Sequence, residues 1–109
     1  MKITAHIIVK NEENFVWYAI NSIIDYVDKV LVWDTGSTDR TAEIVKTIAS
    51  PKISFEEKGP VSPQEFAKLR GEMVKMTDTD WIFILDGDEI WSKAGIEEII
   101  GLITKYGSS

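Results

Sequence analysis

The chain has 109 residues, 44% of them hydrophobic, which is enough for one domain with a modest core and rules out a disordered or fibrous class. Its 18 acidic residues against 12 basic ones leave a net charge of -6, which argues against a general nucleic-acid or anionic-membrane binder, since either needs a basic face. No cysteine is present, so neither a disulfide framework nor a thiolate metal site is available; the expected setting is cytoplasmic. The first residues run straight into a strand-like segment with no apolar leader, and no apolar run approaches the roughly 20 residues of a membrane span.

Taken in order, Ile3 to Val9 reads as a first strand, branched and apolar apart from Thr4 and His6, and it stops where Lys10-Asn11-Glu12-Glu13 brings charge. Phe15, Tyr18, Ala19, Ile23 and Tyr26 then recur at spacings of three and four, predicting an amphipathic helix with Glu12 and Glu13 in its first turn. Lys29 to Trp33 is a second buried strand, ended by Asp34-Thr35-Gly36-Ser37-Thr38-Asp39, a turn in which Ser37, Thr38 and Asp39 can all cap a following helix. That helix carries Ala42, Val45, Ile48 and Ala49 until Ser50-Pro51 stops it. A weaker strand spans Ile53 to Glu56.

The stretch from Lys58 to Pro63 has two prolines and a glycine in six residues and is a loop, read as a connector in preference to a lid. Phe66, Leu69, Met73 and Met76 mark a third helix. Trp81 to Leu85 is apolar at every position and too short for an ordinary helix, as expected of a strand buried on both faces. A last helix is carried by Ile96, Ile99, Ile100 and Ile103. The chain thus divides into one domain over 1–106 and a tail over 107–109. Among single residues, His6 lies inside a strand and is read as packed, Trp17, Trp33 and Trp81 as core, and Arg40 as a surface charge at a helix start. Trp91 either packs under the last helix or stacks on a sugar or base.

Alternation of strand and helix predicts an α/β fold: a Rossmann-like parallel sheet of about four strands with helices on both faces. Ligands of such sheets bind outside the carboxyl ends of the strands. Three polar segments fall there: Lys10-Asn11-Glu12, Asp34, and Asp86-Gly87-Asp88-Glu89. Carboxylates packed that closely repel unless a cation, a donor cluster or a proton intervenes. Asp86 and Asp88 flank a small residue, and hard oxygen ligands of this kind suit magnesium, manganese or calcium completed by substrate phosphates.

Four segments carry a family resemblance. Asp34-Thr35-Gly36-Ser37-Thr38-Asp39-Arg40-Thr41 resembles the Asp-x-Gly-Ser-x-Asp-x-Thr turn of family 2 glycosyltransferases. Ile7-Ile8-Val9-Lys10-Asn11-Glu12-Glu13 resembles that family's first strand and nucleotide-binding loop, Trp81 to Asp88 the strand leading to its Asp-x-Asp signature, and Arg70 stands where the family commonly has an arginine. The order and spacing of all four agree. The resemblance implies the nucleotide-sugar half of a GT-A fold, transferring a sugar from a nucleoside diphosphate, with a uridine diphosphate sugar as first choice and Mn2+ or Mg2+ as cofactor. It implies that Val9, Lys10, Asn11 and Glu12 border the nucleoside and that Asp34 accepts a hydrogen bond from the base. Arg70 approaches base or phosphates, Asp86 touches ribose or metal, and Asp88 is the principal metal ligand.

Gly71 departs from the asparagine usual after the arginine. Family members also continue into an acceptor-binding half that supplies the general base, and no catalytic residue of that kind is identifiable here; Glu89 is the weak candidate. The chain is therefore read as a donor-binding part of a longer enzyme. A phosphatase of the haloacid dehalogenase type is a poorer reading, because its Asp-x-Asp usually opens the chain and needs a later lysine and acidic pair. A non-catalytic folding fragment or interaction module is the third. Without flanking strands, Trp81–Leu85 lies at or near a sheet edge, and a homodimer or domain-swapped assembly through that edge is expected. Neither the sugar, the acceptor, the base nor the stereochemical outcome is legible.

Overall fold

Branched and aromatic side chains concentrate in four segments that pair as parallel strands: β1 (Ile3–Val9), β2 (Lys29–Asp34), β3 (Ile53–Glu57) and β4 (Trp81–Asp86). The helices between them are α1 (Val16–Ile23), continued by a 3-10 turn over Ile24–Tyr26, then α2 (Thr41–Thr47), α3 (Pro63–Lys75) and α4 (Lys93–Tyr106). The computed structural model describes residues 2–106, so the tail expected over 107–109 lies outside them. Strand order is β3-β2-β1-β4, which makes β1 and β2 the central strands.

Alternation of side chains along each strand divides the core in two. On one face Ile3, Ala5, Ile7 and Val9 of β1, Val30 and Val32 of β2 and Leu85 of β4 meet Val16, Ala19, Ile20 and Ile23 of α1, Val45 of α2 and Ile96 of α4. On the other, Leu31 and Trp33 of β2 meet Leu69 and Met73 of α3. Helix α3 starts with a capping box, Ser62 and Glu65 each bonding the other's backbone N–H, with Pro63 at the first helical position. Ser62-Pro63-Gln64-Glu65 is the local sequence signal for this start.

Several expectations are corrected. Helix α1 begins at Val16, beyond Glu12 and Glu13, because Glu12 opens a turn whose carbonyl accepts from the N–H groups of Phe15 and Val16. Its buried stripe runs through Val16, Ala19, Ile20 and Ile23, so Phe15, Tyr18 and Trp17 face outward and Trp17 is not core. Helix α2 ends at Thr47, with Ile48 already extended, short of the stripe expected to Ala49. β4 is an edge strand, as expected, but it is not buried on both faces and Trp81 is not core: Leu85 is buried, whereas Trp81 and Ile82 are exposed and Ile84 is 60% exposed. Helix α3 lies over β2 and leaves Ile82 and Ile84 uncovered, whereas Trp33 is fully buried as expected.

Two threonines that precede β4 satisfy the polar side chains of β1. Thr4 Oγ1 lies 2.7 Å from Thr79 Oγ1, and His6 Nε2 lies 2.6 Å from Thr77 Oγ1. Thr77 gives its one hydroxyl proton to the Met73 carbonyl at 2.7 Å, so it accepts from His6, which fixes the proton of the neutral ring on Nε2. His6 is thus packed and paired, as expected. Burial, and secondarily the nearby Arg70 charge, lowers its pKa below the ordinary 6.5.

Two predictions follow from this packing. A folded-state pKa below the unfolded value means that the unfolded chain takes up the proton first, so the His6 contribution to stability is complete above pH 6.5 and is lost as pH falls through the folded value. Denaturant midpoints measured across that window will drop in the wild type and drop less in His6→Gln, which keeps a donor without a titrating ring. At Gly36, φ is +93° and an added Cβ would lie 2.9 Å from the Pro60 ring and backbone nitrogen. Urea unfolding of Gly36→Ala is expected to show a loss of about 2–4 kcal/mol from left-handed strain and the clash together.

Candidate functional site

Parallel pairing sets Val9 opposite Asp34 and Ile8 opposite Asp86, so the ends of β2 and β4 flank the end of β1. The loops that leave these ends are then bonded to one another. Asn11, in a left-handed conformation at φ 54°, accepts from Thr38 N–H at Oδ1 (2.8 Å), and its own N–H donates to Ser37 Oγ (2.9 Å). Glu12 N–H donates to Thr41 Oγ1 at 2.8 Å, and Glu13 N–H donates to Asp39 Oδ2 at 3.2 Å. Asp39 also receives the Thr41 N–H and hydroxyl at Oδ1. Burial pushes its pKa upward, but the bonds from Thr41 and the backbone outweigh that and hold it below the ordinary value. Asn11 therefore ties two loops together, while Lys10 projects into solvent.

Asp34 is buried, 3% exposed. Its Oδ1 closes the turn by accepting from Gly36 N–H (2.9 Å) and Ser37 N–H (2.8 Å), and its Oδ2 is buried with no partner. The backbone of Asp34 is held from the other side, where its carbonyl accepts from Lys58 N–H at 2.7 Å. The Lys58 ammonium sits 4.2 Å from the centre of the Trp33 ring, whose own Nε1 is buried without a partner. With Pro60 packed on Gly36, the loop from Lys58 to Pro63 is fastened to the end of β2.

Arg70 approaches from α3, its guanidinium 5.2 Å from the Phe66 ring centre and its Nη1 buried without a partner. Buried donors and acceptors are nearly always paired, because an unmet one costs roughly 1–3 kcal/mol. Asp34 Oδ2, Trp33 Nε1, Arg70 Nη1 and Trp91 Nε1 are such exceptions among the described residues: the first two end β2, Arg70 stands on α3, and Trp91 follows the turn after β4.

The acidic segment after β4 reaches the same edge. An added Cβ at Gly87 would lie 2.9 Å from Val9 Cγ1 and 3.0 Å from Glu12 Cγ, so only glycine lets this turn close on the first loop. Burial, then the charges of Asp88, Asp39 and Asp86, raise the pKa of Glu12, which shows four carboxylates sharing one field. Asp86 and Asp88 are exposed, and neither side chain has a hydrogen bond or ion pair among the described residues. Glu89, the weak candidate for a base, accepts from Asp86 N–H at 3.0 Å and is thereby fixed to the turn. Trp91 packs edge-on to Phe83, 5.4 Å between ring centres, and beneath α4 at Gly95, which is the packing alternative of its two readings.

Among the described residues no group of three or more His, Asp or Glu side chains forms a metal cage by itself. The structure thus brings Val9, Glu12, Asp34, Asp86 and Asp88 to one edge, while Arg70 stands on α3 near His6 of β1. Gly87 and the clamp made by Asp39 and Thr41 were not among the expected site residues; a glycine between two aspartates was the available signal for the first.

Comparison with known proteins agrees with this architecture. The sequence profile of "Glycosyl transferase family 2" matches residues 4–109. An uncharacterized glycosyltransferase of Rickettsia typhi is 38% identical over 98 residues, covering 90% of this chain and 32% of its own length. Glycosyltransferase SunS of the Bacillus subtilis SPbeta prophage is 30% identical over 92 residues, 84% of this chain and 21% of that protein. Staphylococcus aureus TarS 1–349 in complex with UDP superposes with a TM-score of 0.73 at 21% identity over 98% of this chain and 33% of that one. Glucosyl-3-phosphoglycerate synthase from Mycobacterium tuberculosis, also with UDP, gives a TM-score of 0.61 at 26% identity, over 82% of this chain and 34% of that one. The chain spans about a third of the length of the Rickettsia relative and of these two structures. With the profile covering nearly the whole sequence and the strand arrangement matching GT-A glycosyltransferases, this chain belongs to glycosyl transferase family 2.

Proposed function

We propose that this chain is the donor-binding part of a metal-dependent glycosyltransferase, which holds a nucleoside diphosphate sugar, with uridine diphosphate as the carrier, for transfer to an acceptor. The observation that carries the reading is the unpartnered buried Oδ2 of Asp34 at the carboxyl edge of the sheet. A carboxylate oxygen in that condition calls for a donor from outside the chain, and the imide N–H of a uracil supplies one. Arg70 Nη1, equally buried and unpaired, donates to a base carbonyl or a phosphate. The loop from Val9 to Glu12 borders the nucleoside. TarS and glucosyl-3-phosphoglycerate synthase, both similar in structure to this chain, are known in complex with UDP, which supports the choice of base.

Asp86 and Asp88 fit a divalent cation by their chemistry: exposed, without protein partners, and close enough with Asp39 to raise the proton affinity of Glu12. Two carboxylates without a full protein cage suit Mg2+ or Mn2+, which take their remaining ligands from phosphates and water. When bound, such a cation neutralises the charge that develops on the departing diphosphate. The chain's own part is positional: Asp34 and Arg70 orient the nucleotide, and the Gly87 turn holds the aspartates against the first loop. A phosphatase role lapses with family membership. Absence of cysteine and of any helix among the described residues long and apolar enough to cross a membrane supports a cytoplasmic setting.

Calorimetric titration of UDP with and without Mn2+ tests this reading. Binding is expected to depend on Mn2+, and Asp88→Ala is expected to abolish that dependence. Asp34→Asn, which keeps an oxygen for the turn and replaces the acceptor by a donor, is expected to weaken UDP about tenfold to a hundredfold with the fold intact. No heat from folded wild type would refute it.

We further propose that the open edge of β4 pairs two copies of the chain. No charge or proline interrupts Trp81–Leu85, whereas the opposite edge, β3, is guarded by Glu56 and Glu57 in ion pairs with Lys58 and Lys46. Sedimentation at high micromolar concentration should give a dimer; a clean monomer would remove the idea.

A further inference from the structure

The first turns of α1 present a surface that neither the core nor the donor site uses. Phe15, Trp17 and Tyr18 are 47%, 46% and 56% exposed, and the Trp17 and Tyr18 rings meet edge to face with centres 5.1 Å apart. From Asn14 to Ile24, eleven consecutive residues carry no charge, in a chain of which 28% is charged. Asn14, exposed, precedes Phe15 in sequence, and Asn21 stands one turn beyond Trp17, giving an N–H to the Trp17 carbonyl at 2.8 Å with its Oδ1 free to accept. Phe15 follows Glu12 by three residues, and its N–H donates to the Glu12 carbonyl, so the aromatic surface starts one turn from the acidic edge.

An aromatic surface without charge, flanked by amides, is the reverse of what the rest of this acidic exterior offers. Its size narrows the occupant. Three aromatic side chains about half exposed offer on the order of 300 Å2, well short of the ~800 Å2 per partner that a stable protein interface takes. A second copy or a folded protein partner is therefore poorly matched. Nucleic acid and anionic lipid require a cluster of cations; none lies within the stretch, and Lys52, which shares a groove with Asn21, is accompanied there by Asp25. A sugar chain matches both properties: its C–H faces stack on rings, and its hydroxyl groups pair with amides.

We infer that the outward face of α1 at Phe15, Trp17 and Tyr18 is a docking surface for an uncharged sugar chain, held beside the edge where the donor binds. The inference rests on the proposed donor reading only in taking that edge as the place of sugar transfer. The surface orients a glycan by stacking and takes no part in the chemistry.

Native gels containing dissolved hydroxyethylcellulose or yeast mannan, with alginate as the charged control, provide the test. The wild-type chain is expected to be retarded by at least one neutral polysaccharide and not by alginate. Trp17→Ala and Tyr18→Ala should each weaken that retardation about tenfold in affinity, while Trp17→Phe retains most of it. Circular dichroism and UDP titration of the same variants should match wild type. Absence of retardation in both neutral gels, or equal retardation of wild type and both alanine variants, would overturn the inference. So would a wild-type dimer that Trp17→Ala converts to a monomer, which would assign the surface to a second copy. Loss of UDP binding with retardation intact would count against the donor reading alone.

Discussion

Because β1 is hydrogen-bonded on both sides by strands running in its own direction, every loop that leaves a carboxyl end in this half of the sheet emerges at the same edge. Val9 is held opposite Asp34 and Ile8 opposite Asp86, so segments 25 and 78 residues apart in sequence become neighbours. The backbone alone would only aim these loops together. Their side chains then join them: Asn11 with Ser37 and Thr38, Glu12 with Thr41, Glu13 with Asp39. A loop bonded at several points loses little further entropy when a ligand arrives, which is the physical content of a preformed site.

Against that background of satisfied bonds, the buried atoms left without partners stand out. Asp34 has one oxygen fully engaged in its turn and the other with no partner. Arg70 has a buried guanidinium nitrogen in the same condition. The buried polar side chains of β1 are met internally, His6 by Thr77 and Thr4 by Thr79, whereas the indole N–H groups of Trp33 and Trp91 are also left without partners. Such unmet groups cost stability, and the crowded carboxylates near Gly87 do so through charge instead of hydrogen bonding.

The two faces and two edges of the sheet are not equivalent. Three helices, α1, α2 and α4, cover one face, while α3 alone covers the other and lies over β2. That leaves Ile82 and Ile84 open on β4 at one edge, while β3 carries charge at the other. The outward side of α1 is apolar for a different reason, since its inner stripe already fills the core.

Strand and helix alternation was legible in the sequence, because buried parallel strands read as unbroken apolar runs and because glycine, proline and capping residues punctuate them. The acidic turn after β4 and the Asp34 turn were legible as well, since residue types and spacing express their chemistry locally. Which stripe of α1 faces the core was not: Phe15 and Tyr18 share a helical spacing with Ile23, and only the docking of Val16, Ala19 and Ile20 onto β1 and β2 decides between two apolar stripes. Nor was the exposure of β4, since an apolar strand looks the same in sequence whether its outer face is covered or open, and cover depends on where α3 lies. The unpaired oxygen of Asp34 and the closure of Gly87 on Val9 and Glu12 belong to tertiary structure for the same reason: they are relations between segments distant in sequence, and local propensity carries no information about them.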